Sequence, residues 1–288
     1  MSRAGGSNIL QEMRVASTRG SIGLSTRANV AKPDQRVFTR REALAAIGGG
    51  LVSLAGCRLD TATGNSDSSN GRIVTRPSAP TITPPTGVTS IPLGLGLEGL
   101  LFVPTTYIAS TPAPLAFLLH GAGGSASELM APVSTYAESR GLALVSITAV
   151  DGTWDAIRGE FGADVRNINK TLDWVFARCA VDTTRLGLMG FSDGATYAIG
   201  LGRANGDLFR RVTVFSPGFL LPVAPIGKPE FFITHGTADR VLSIDTTRNV
   251  IVPQLRNAGY SVDYHEWDGG HGVSSALLEQ SVDWYVRK

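Results

Sequence analysis

Short apolar runs alternate along the chain with longer segments whose apolar residues recur at helical spacing. Runs of this length, bounded by glycine, proline and polar residues, are typical of strands. The predicted strands cover residues 100–103, 115–119, 143–148, 186–189, 212–215, 231–234 and 262–267. The predicted helices cover residues 126–140, 163–179, 194–204, 246–258 and 274–286. This alternation predicts an α/β fold: a mostly parallel, doubly wound sheet with helices on both faces and an active site beyond the carboxyl ends of the strands.

The first 56 residues follow a different pattern. Arg40-Arg41 precede a short apolar stretch that ends in Leu54-Ala55-Gly56-Cys57. The apolar part, about 14 residues, is too short for a membrane span, which needs roughly 20. The basic pair resembles a twin-arginine export signal, and the last four residues resemble a bacterial lipoprotein cleavage box. We therefore expect an exported protein, lipid-anchored through Cys57 on the periplasmic or cell-surface side of a bacterial membrane. The alternative is an ordinary cleavable signal with an unmodified Cys57.

Residues 57–93 are rich in Ser, Thr, Asn, Gly and Pro and contain few large apolar residues. Such a composition is typical of a flexible linker, which predicts a tether between the anchor and the globular domain. The globular domain is then expected over residues 94–288.

Composition excludes several other classes of protein. The chain has 288 residues, of which 43% are hydrophobic and 17% charged, and its formal net charge is +2. This favours one sizeable core, and it gives no basic stripe for nucleic acid. We also expect a monomer. The two cysteines, Cys57 and Cys179, lack metal-ligand spacing. The G-x-G-x-x-G at residues 94–99 precedes a strand instead of following one, so we expect neither a metal nor a dinucleotide cofactor.

The segment Gly190-Phe191-Ser192-Asp193-Gly194 joins a predicted strand to a predicted helix. Glycines two residues before and after a serine allow the sharp turn on which a hydroxyl is exposed for attack. Ser192 is therefore the candidate nucleophile.

A serine nucleophile needs a histidine base and a carboxylate that orients the base. His271 lies in a glycine-rich loop after the last predicted strand, which favours it over His265 within that strand. Asp239 follows the preceding strand, in the chain order Ser, Asp, His. Asp268 is a weaker alternative, Asp245 suits a helix cap, and His235 is expected to shape the turn by hydrogen bonding.

Two backbone N–H groups should face the developing oxyanion. One is expected from Asp193, the residue after the serine. The other is expected from the glycine-rich loop after strand 115–119, with Ala122 as the main candidate and Gly121 or Gly123 as alternatives. A tight connection without catalytic function is the competing interpretation of this loop.

The ordered motifs His120-Gly121-Ala122-Gly123-Gly124, Gly190-Phe191-Ser192-Asp193-Gly194, His235-Gly236-Thr237-Ala238-Asp239 and Gly269-Gly270-His271 resemble those of the α/β-hydrolase superfamily. The resemblance covers residues from about 100 to 288. It is greatest to the phospholipase/carboxylesterase branch, related to dienelactone hydrolases and polyester or feruloyl-type esterases. It implies hydrolysis of carboxylic esters by Ser192, Asp239 and His271, without cofactor or metal. The branch often has Gln or Ala after the serine, where this chain has Asp193.

No long insertion follows the predicted strand 212–215, which predicts an open site for short-chain, aryl or polymer-borne esters. Candidate apolar walls are Trp154, Phe161, Phe191 and Phe219, each of which could equally be core packing. Two other functions remain open at this point: a non-catalytic binding protein with the same fold, and a peptidase or acyltransferase that uses the same residues.

Overall fold

The computed structural model describes residues 70–94 and 98–288. The predicted export signal, Cys57 and the first part of the predicted tether lie outside these residues. The strands are β1 (Gly87–Ser90), β2 (Gly99–Val103), β3 (Ala113–Leu119), β4 (Ala143–Ile147), β5 (Val181–Phe191), β6 (Arg211–Phe215), β7 (Glu230–Gly236) and β8 (Val262–Trp267).

These strands form one sheet in the order β1-β2-β4-β3-β5-β6-β7-β8. Strands β3 to β8 run parallel, and β1 and β2 form an antiparallel edge. The neighbours β3, β5, β6 and β7 therefore end at the same edge of the sheet. The loops that carry the candidate site residues all leave from that edge, as expected for open α/β sheets.

Helices cover both faces of the sheet. They are α1 (Ser127–Arg140), α2 (Asp155–Arg158), α3 (Ala163–Phe176), α4 (Asp193–Ala204), α5 (Ile244–Thr246), α6 (Val252–Asn257) and α7 (Ser275–Val286), with a π-helical turn (Thr247–Ile251) between α5 and α6. Alternate residues of β3 enter two separate apolar clusters, one built with α3 and α4 and the other with α1 and α7. Because successive strand side chains point to opposite faces, the two clusters lie on either side of the sheet. None of the helices in the described ranges has the length and apolar character that crossing a membrane requires.

Residues 70–93 pack against the domain, so the predicted tether over 57–93 is wrong for this part. Ile73 and Ile91 are buried, and β1 pairs with β2. The amide of Ile73 donates to Oδ1 of Asn205 at 2.8 Å. A polar composition suggested a free linker, but a few buried apolar side chains and hydrogen bonds to helix side chains are sufficient to bind the segment.

An ion pair holds the start of this segment to the turn after α4. Arg72 donates two hydrogen bonds of 3.0 Å to the carboxylate of Asp207, and Arg76 donates one of 2.6 Å. The hydrogen bond from Arg72 is the main reason why the pKa of Asp207 is lowered to about 2. The Asp207 side chain remains 35% exposed, so solvent weakens the pair.

We expect Asp207→Asn to lower the free energy of unfolding by about 1 kcal/mol at neutral pH. The folded-state pKa of about 2 lies below the ordinary value of about 3.9. The pair therefore stabilises the protein fully above the ordinary value, and this contribution is lost as the pH falls through the lower one. Urea unfolding across this pH range measures the difference. Asp151→Asn is the control, because its contact with Arg158 is 3.7 Å and both side chains are exposed. Equal losses in the two variants would contradict the prediction.

Candidate active site

Ser192 lies at the sharp turn between β5 and α4. Its φ is 56° and its ψ is −120°, a conformation that non-glycine residues rarely adopt. Strain of this kind costs about 1–3 kcal/mol and persists only where the surroundings hold it. The Ser192 amide donates to the carbonyl of Phe215 at 3.0 Å, which fastens the turn to the end of β6.

The glycines that flank Ser192 are required by close packing of the backbone. A Cβ atom added at Gly190 would lie 2.3 Å from the carbonyl oxygen of Gly194. A Cβ added at Gly194 would lie 2.1 Å from the carbonyl oxygen of Leu119, at the end of β3. Only glycine fits at either position, so this turn has the geometry that its sequence predicts.

Ser192, His271 and Asp239 form one line of hydrogen bonds. His271 Nε2 lies 2.9 Å from Ser192 Oγ, and His271 Nδ1 lies 2.7 Å from Asp239 Oδ2. Because a carboxylate accepts, Nδ1 carries the hydrogen and Nε2 accepts from the serine hydroxyl. The structure thus brings together the three residues that the sequence singled out, in an arrangement that can move a proton from serine to histidine.

Asp239 is held as a buried carboxylate in the turn after β7. Its Oδ1 accepts hydrogen bonds from the amides of Val241 at 2.8 Å and Leu242 at 2.9 Å. Burial alone would raise the pKa of Asp239, but the hydrogen bond from His271 and those two amides outweigh it, so the pKa is lowered. Asp239 therefore stays charged beside His271.

His235, near the end of β7, lies against the same carboxylate. Its Nε2 lies 2.9 Å from the carbonyl oxygen of Leu242 and 3.2 Å from Asp239 Oδ2. Both partners are acceptors, so Nε2 carries the hydrogen, and Nδ1 accepts from the hydroxyl of Thr247 at 2.8 Å. Burial lowers the pKa of His235, which keeps the ring neutral. Both ring nitrogens are engaged, so His235 holds the turn in place, as the sequence suggested.

The loop after β3 offers one candidate oxyanion donor. The Gly121 amide donates to Glu128 Oε2 at 3.0 Å, and the Gly123 amide donates to the carbonyl of Gly152 at 2.6 Å. Within the described part of the chain, the amide of Ala122 between them has no hydrogen-bond acceptor. Of the three amides considered from the sequence, Ala122 is the one left to bind a substrate oxygen.

The second candidate donor is the amide of Asp193, the first residue of α4. It too has no acceptor among the residues 70–94 and 98–288, as is usual for an amide in the first turn of a helix. The two donor segments meet at the serine, since a Cβ added at Gly121 would lie 3.4 Å from the Cβ of Ser192. The residue before Ala122 therefore packs against Ser192, the residue before Asp193.

Residues 149–154 form hydrogen bonds with His120, at the start of the loop that carries Ala122. The Ala149 amide donates to His120 Nε2 at 2.9 Å, and Trp154 Nε1 donates to the His120 carbonyl at 2.9 Å. Because Nε2 accepts, Nδ1 carries the hydrogen and donates to the carbonyl of Gly121 at 2.6 Å. Burial lowers the pKa of His120, so the ring is neutral and its role is structural.

Two of the four predicted wall residues belong to the core instead. Trp154 is fully buried and stacks on Tyr197 at 5.1 Å, and Phe161 is buried against the same ring. The prediction for these two is wrong, because both rings fill space beside α4. Phe191 packs on the ring of His271 with centroids 4.9 Å apart. Phe219 is 44% exposed, whereas Phe191 is 5% exposed, so Phe219 is the exposed member of the set.

The sequence did not single out Gly152 or Thr153, although both contact the oxyanion segments. Gly152 accepts from the Gly123 amide, and Thr153 donates to Asp193. Their position in the loop after β4, at the same sheet edge as the serine, was the available signal.

No protein-family model matches the chain. Parts of it are similar to two proteins that are named as esterases. NocK of Nocardia uniformis subsp. tsuyamanensis is 29% identical over 143 residues, which are 46% of this chain and 42% of that protein. Feruloyl esterase C of Aspergillus terreus (strain NIH 2624 / FGSC A1156) is 28% identical over 191 residues, which are 62% of this chain and 68% of that protein. The match thus spans less than half the length of NocK.

The fold is similar to that of a solved structure, S-formylglutathione hydrolase (FrmB) from Staphylococcus aureus. The TM-score is 0.56 with 14% sequence identity, over 70% of this chain and 100% of that one. At this identity the similarity concerns the fold alone. The chain therefore has the α/β-hydrolase fold, with Ser192, Asp239 and His271 brought together at the carboxyl edge of its sheet.

Proposed function

We propose that the protein is a serine carboxylic-ester hydrolase that forms a covalent acyl-enzyme on Ser192. The observation that carries this proposal is the unbroken hydrogen-bond line from Asp239 Oδ2 through His271 to Ser192 Oγ, with distances of 2.7 and 2.9 Å. Similarity to two proteins named as esterases supports the same class of reaction.

In the acylation step, Ser192 Oγ attacks the ester carbonyl carbon while its proton passes to His271 Nε2. The carbonyl oxygen becomes an oxyanion and accepts hydrogen bonds from the amides of Ala122 and Asp193. Each such donor is typically worth about 2.7–4 kcal/mol in the transition state. The imidazolium then gives its proton to the leaving alcohol oxygen as the ester C–O bond breaks. Asp239, charged and buried, stabilises the imidazolium while it exists.

Deacylation repeats these steps with water. His271 Nε2 takes a proton from a water molecule, whose oxygen attacks the acyl carbonyl, and the same two amides bind the oxyanion. The bond to Ser192 Oγ breaks, the serine oxygen receives the proton from His271, and the carboxylic acid leaves. The chain's own residues supply each proton transfer.

Hydrolysis of p-nitrophenyl acetate by the purified protein tests this function, together with labelling by a fluorophosphonate and mapping of the label. We expect ester turnover and a label on Ser192. A protein that binds esters but neither hydrolyses them nor takes up the label would support a non-catalytic binding role. Preferential cleavage of amides, or acyl transfer to an added alcohol in place of water, would identify a peptidase or an acyltransferase.

We propose further that the site accepts short-chain or aryl esters, including those borne on a polymer. Residues 216–229, all of which the structure describes, join β6 to β7 without a helix, so no cap domain arises there. Phe219 and Val241 are 44% and 62% exposed. Their loops touch, because a Cβ at Gly218 would lie 3.4 Å from the side chain of Leu242. An exposed apolar border of this kind suits a flat aromatic group.

We expect Phe219→Ala to raise KM for aryl esters roughly two- to tenfold with little change in kcat, because an aromatic pair contributes about 0.5–1.5 kcal/mol. Alkyl acetates should be affected less. Ile108→Ala is the control: Ile108 is 61% exposed but follows β2, which ends at the opposite edge of the sheet. Activity that peaks on long-chain esters would contradict the proposed preference, and an equal effect of the two variants would exclude Phe219 from the binding surface.

We also propose that the protein is exported and lipid-anchored at Cys57, on the basis of the box Leu54-Ala55-Gly56-Cys57 behind a basic pair. Acyl chains add about 0.8 kcal/mol of membrane affinity per buried CH₂. Incorporation of labelled palmitate by the full chain, lost in Cys57→Ser, is the expected result. Label retained by Cys57→Ser would refute the assignment.

A further inference from the structure

One loop contacts both arms of the candidate oxyanion hole. The carbonyl of Gly152 accepts from the amide of Gly123 at 2.6 Å, next to the donor Ala122. The hydroxyl of the following residue, Thr153, donates to Oδ2 of Asp193 at 2.7 Å. Asp193 also carries the second donor amide. Adjacent residues of the loop after β4 therefore hold the two donor segments at once.

This loop is itself firmly anchored. Asp164, buried in the first turn of α3, accepts from the amides of Val150 at 3.0 Å and Asp155 at 2.8 Å. The carboxylate of Asp155 in turn accepts from the hydroxyl of Tyr197 on α4 at 3.0 Å. The loop thus meets α4 at two places, Thr153 with Asp193 and Asp155 with Tyr197. A shift of the loop along α4 would break several partly buried hydrogen bonds.

The contact between Thr153 and Asp193 has the character of a strong hydrogen bond. It is short and its acceptor is a carboxylate, which makes it roughly twice as strong as a neutral pair. It also lies at the start of α4, where the helix dipole favours a negative charge. The side chain of Asp193 therefore has a role of its own. It joins α4, which carries the Asp193 amide, to the loop after β4, which holds the segment with the Ala122 amide.

We propose that the side chains of Thr153 and Asp193 are positioning residues that preorganise the oxyanion hole. Their hydrogen bond sets the spacing between the amides of Ala122 and Asp193. Neither side chain takes or gives a proton in the reaction. This inference rests on the proposed function, in which the amides of Ala122 and Asp193 bind the oxyanion of the reacting ester.

The test is a double-mutant cycle on p-nitrophenyl acetate hydrolysis, normalised by titrating active sites with a fluorophosphonate. We expect Thr153→Val and Asp193→Ala each to lower kcat about tenfold with KM nearly unchanged, because small displacements of catalytic groups cost up to about a hundredfold. The double variant should also lose about tenfold, since both changes break the same bond. Thr153→Ser and Asp193→Asn, which keep a donor and an acceptor, should restore most of the rate.

Thr184→Val is the matched control, because it removes a hydrogen bond of 2.6 Å between a threonine and Asp182 on the far part of β5. It should leave kcat per active site unchanged. A hundredfold loss in the double variant, a change in KM alone, or fewer active sites with normal kcat per site would each overturn the inference. Wild-type protein that shows neither turnover nor labelling would refute both ester hydrolysis at Ser192 and the positioning role. Active wild-type protein with equally active variants would refute only the positioning role of Thr153 and Asp193.

Discussion

Replacing Ser192 with alanine is expected to reduce kcat for a short p-nitrophenyl ester on the order of 10⁴-fold or more. The variant keeps both donor amides and the pair of His271 and Asp239 but has no oxygen with which to form an acyl-enzyme. Any remaining rate would come from direct attack by water on an ester bound at the amides of Ala122 and Asp193. KM should change little, because the hydroxyl contributes to bond formation more than to substrate binding.

The measurement is steady-state hydrolysis combined with fluorophosphonate labelling, and Ser216→Ala is the control. Ser216 also has a left-handed backbone, with φ of 53°, and is fully buried at the end of the neighbouring strand β6. Its hydroxyl has no partner among the described residues. Loss of the label in Ser192→Ala alone is the expected result. Unchanged turnover in Ser192→Ala, or label on another residue, would end the proposed mechanism.

Asp239→Asn is expected to reduce kcat roughly 10⁴-fold. The amide side chain can still accept from the amides of Val241 and Leu242, so the turn should keep its shape. The substitution removes the negative charge that stabilises the imidazolium of His271. An asparagine side chain also no longer selects the His271 tautomer with hydrogen on Nδ1. Hydrogen bonds from His271 and the two turn amides outweigh burial and lower the pKa of Asp239, so the native carboxylate loses its charge only below the pH at which an ordinary aspartate does. The acid limb of the wild-type pH–rate profile should therefore come from another group.

Asp268, the weaker alternative from the sequence, and Asp245, which the sequence assigned to a helix cap, serve as controls. Asp245, in α5, has a 71% exposed side chain, and Asp268 lies in the loop before His271. Asparagine at either position should leave kcat within about twofold, as is usual for surface changes. Circular dichroism of each variant separates loss of fold from loss of chemistry. A large loss in the Asp268 variant with a small one in the Asp239 variant would reassign the carboxylate.

The sequence predicts most elements well where apolar periodicity is strong. The predicted strand at 262–267 coincides with β8 (Val262–Trp267). It predicts β5 too short, because the first half of that strand, around residues 182–185, is polar and partly exposed. It misses β1 (Gly87–Ser90), an edge strand whose Val88 is 56% exposed. Such strands depend on pairing with a neighbour more than on their own composition.

Ser192, Asp239 and His271 could be picked out from the sequence because each lies within three residues of a glycine and follows a strand, where turn geometry leaves a local signature. The aromatic residues carried no such signature. Trp154, Phe161 and Phe219 are all aromatic residues in loops of the sequence near the predicted site, yet Phe219 alone of the three is well exposed. Which ring enters the core depends on the space beside α4, which no local pattern records.

Local patterns in the sequence predict most of the strands and helices, the candidate residues Ser192, Asp239 and His271, and the sharp turn at Ser192, because periodicity and glycine spacing are local properties of a chain. The contacts between distant segments follow from the three-dimensional packing of the sheet and its helices. His271 reaches a serine 79 positions earlier, and Thr153 reaches Asp193 across 40. These contacts depend on the register of neighbouring parallel strands and on the packing of α4 against them, which arise only when the whole sheet has formed.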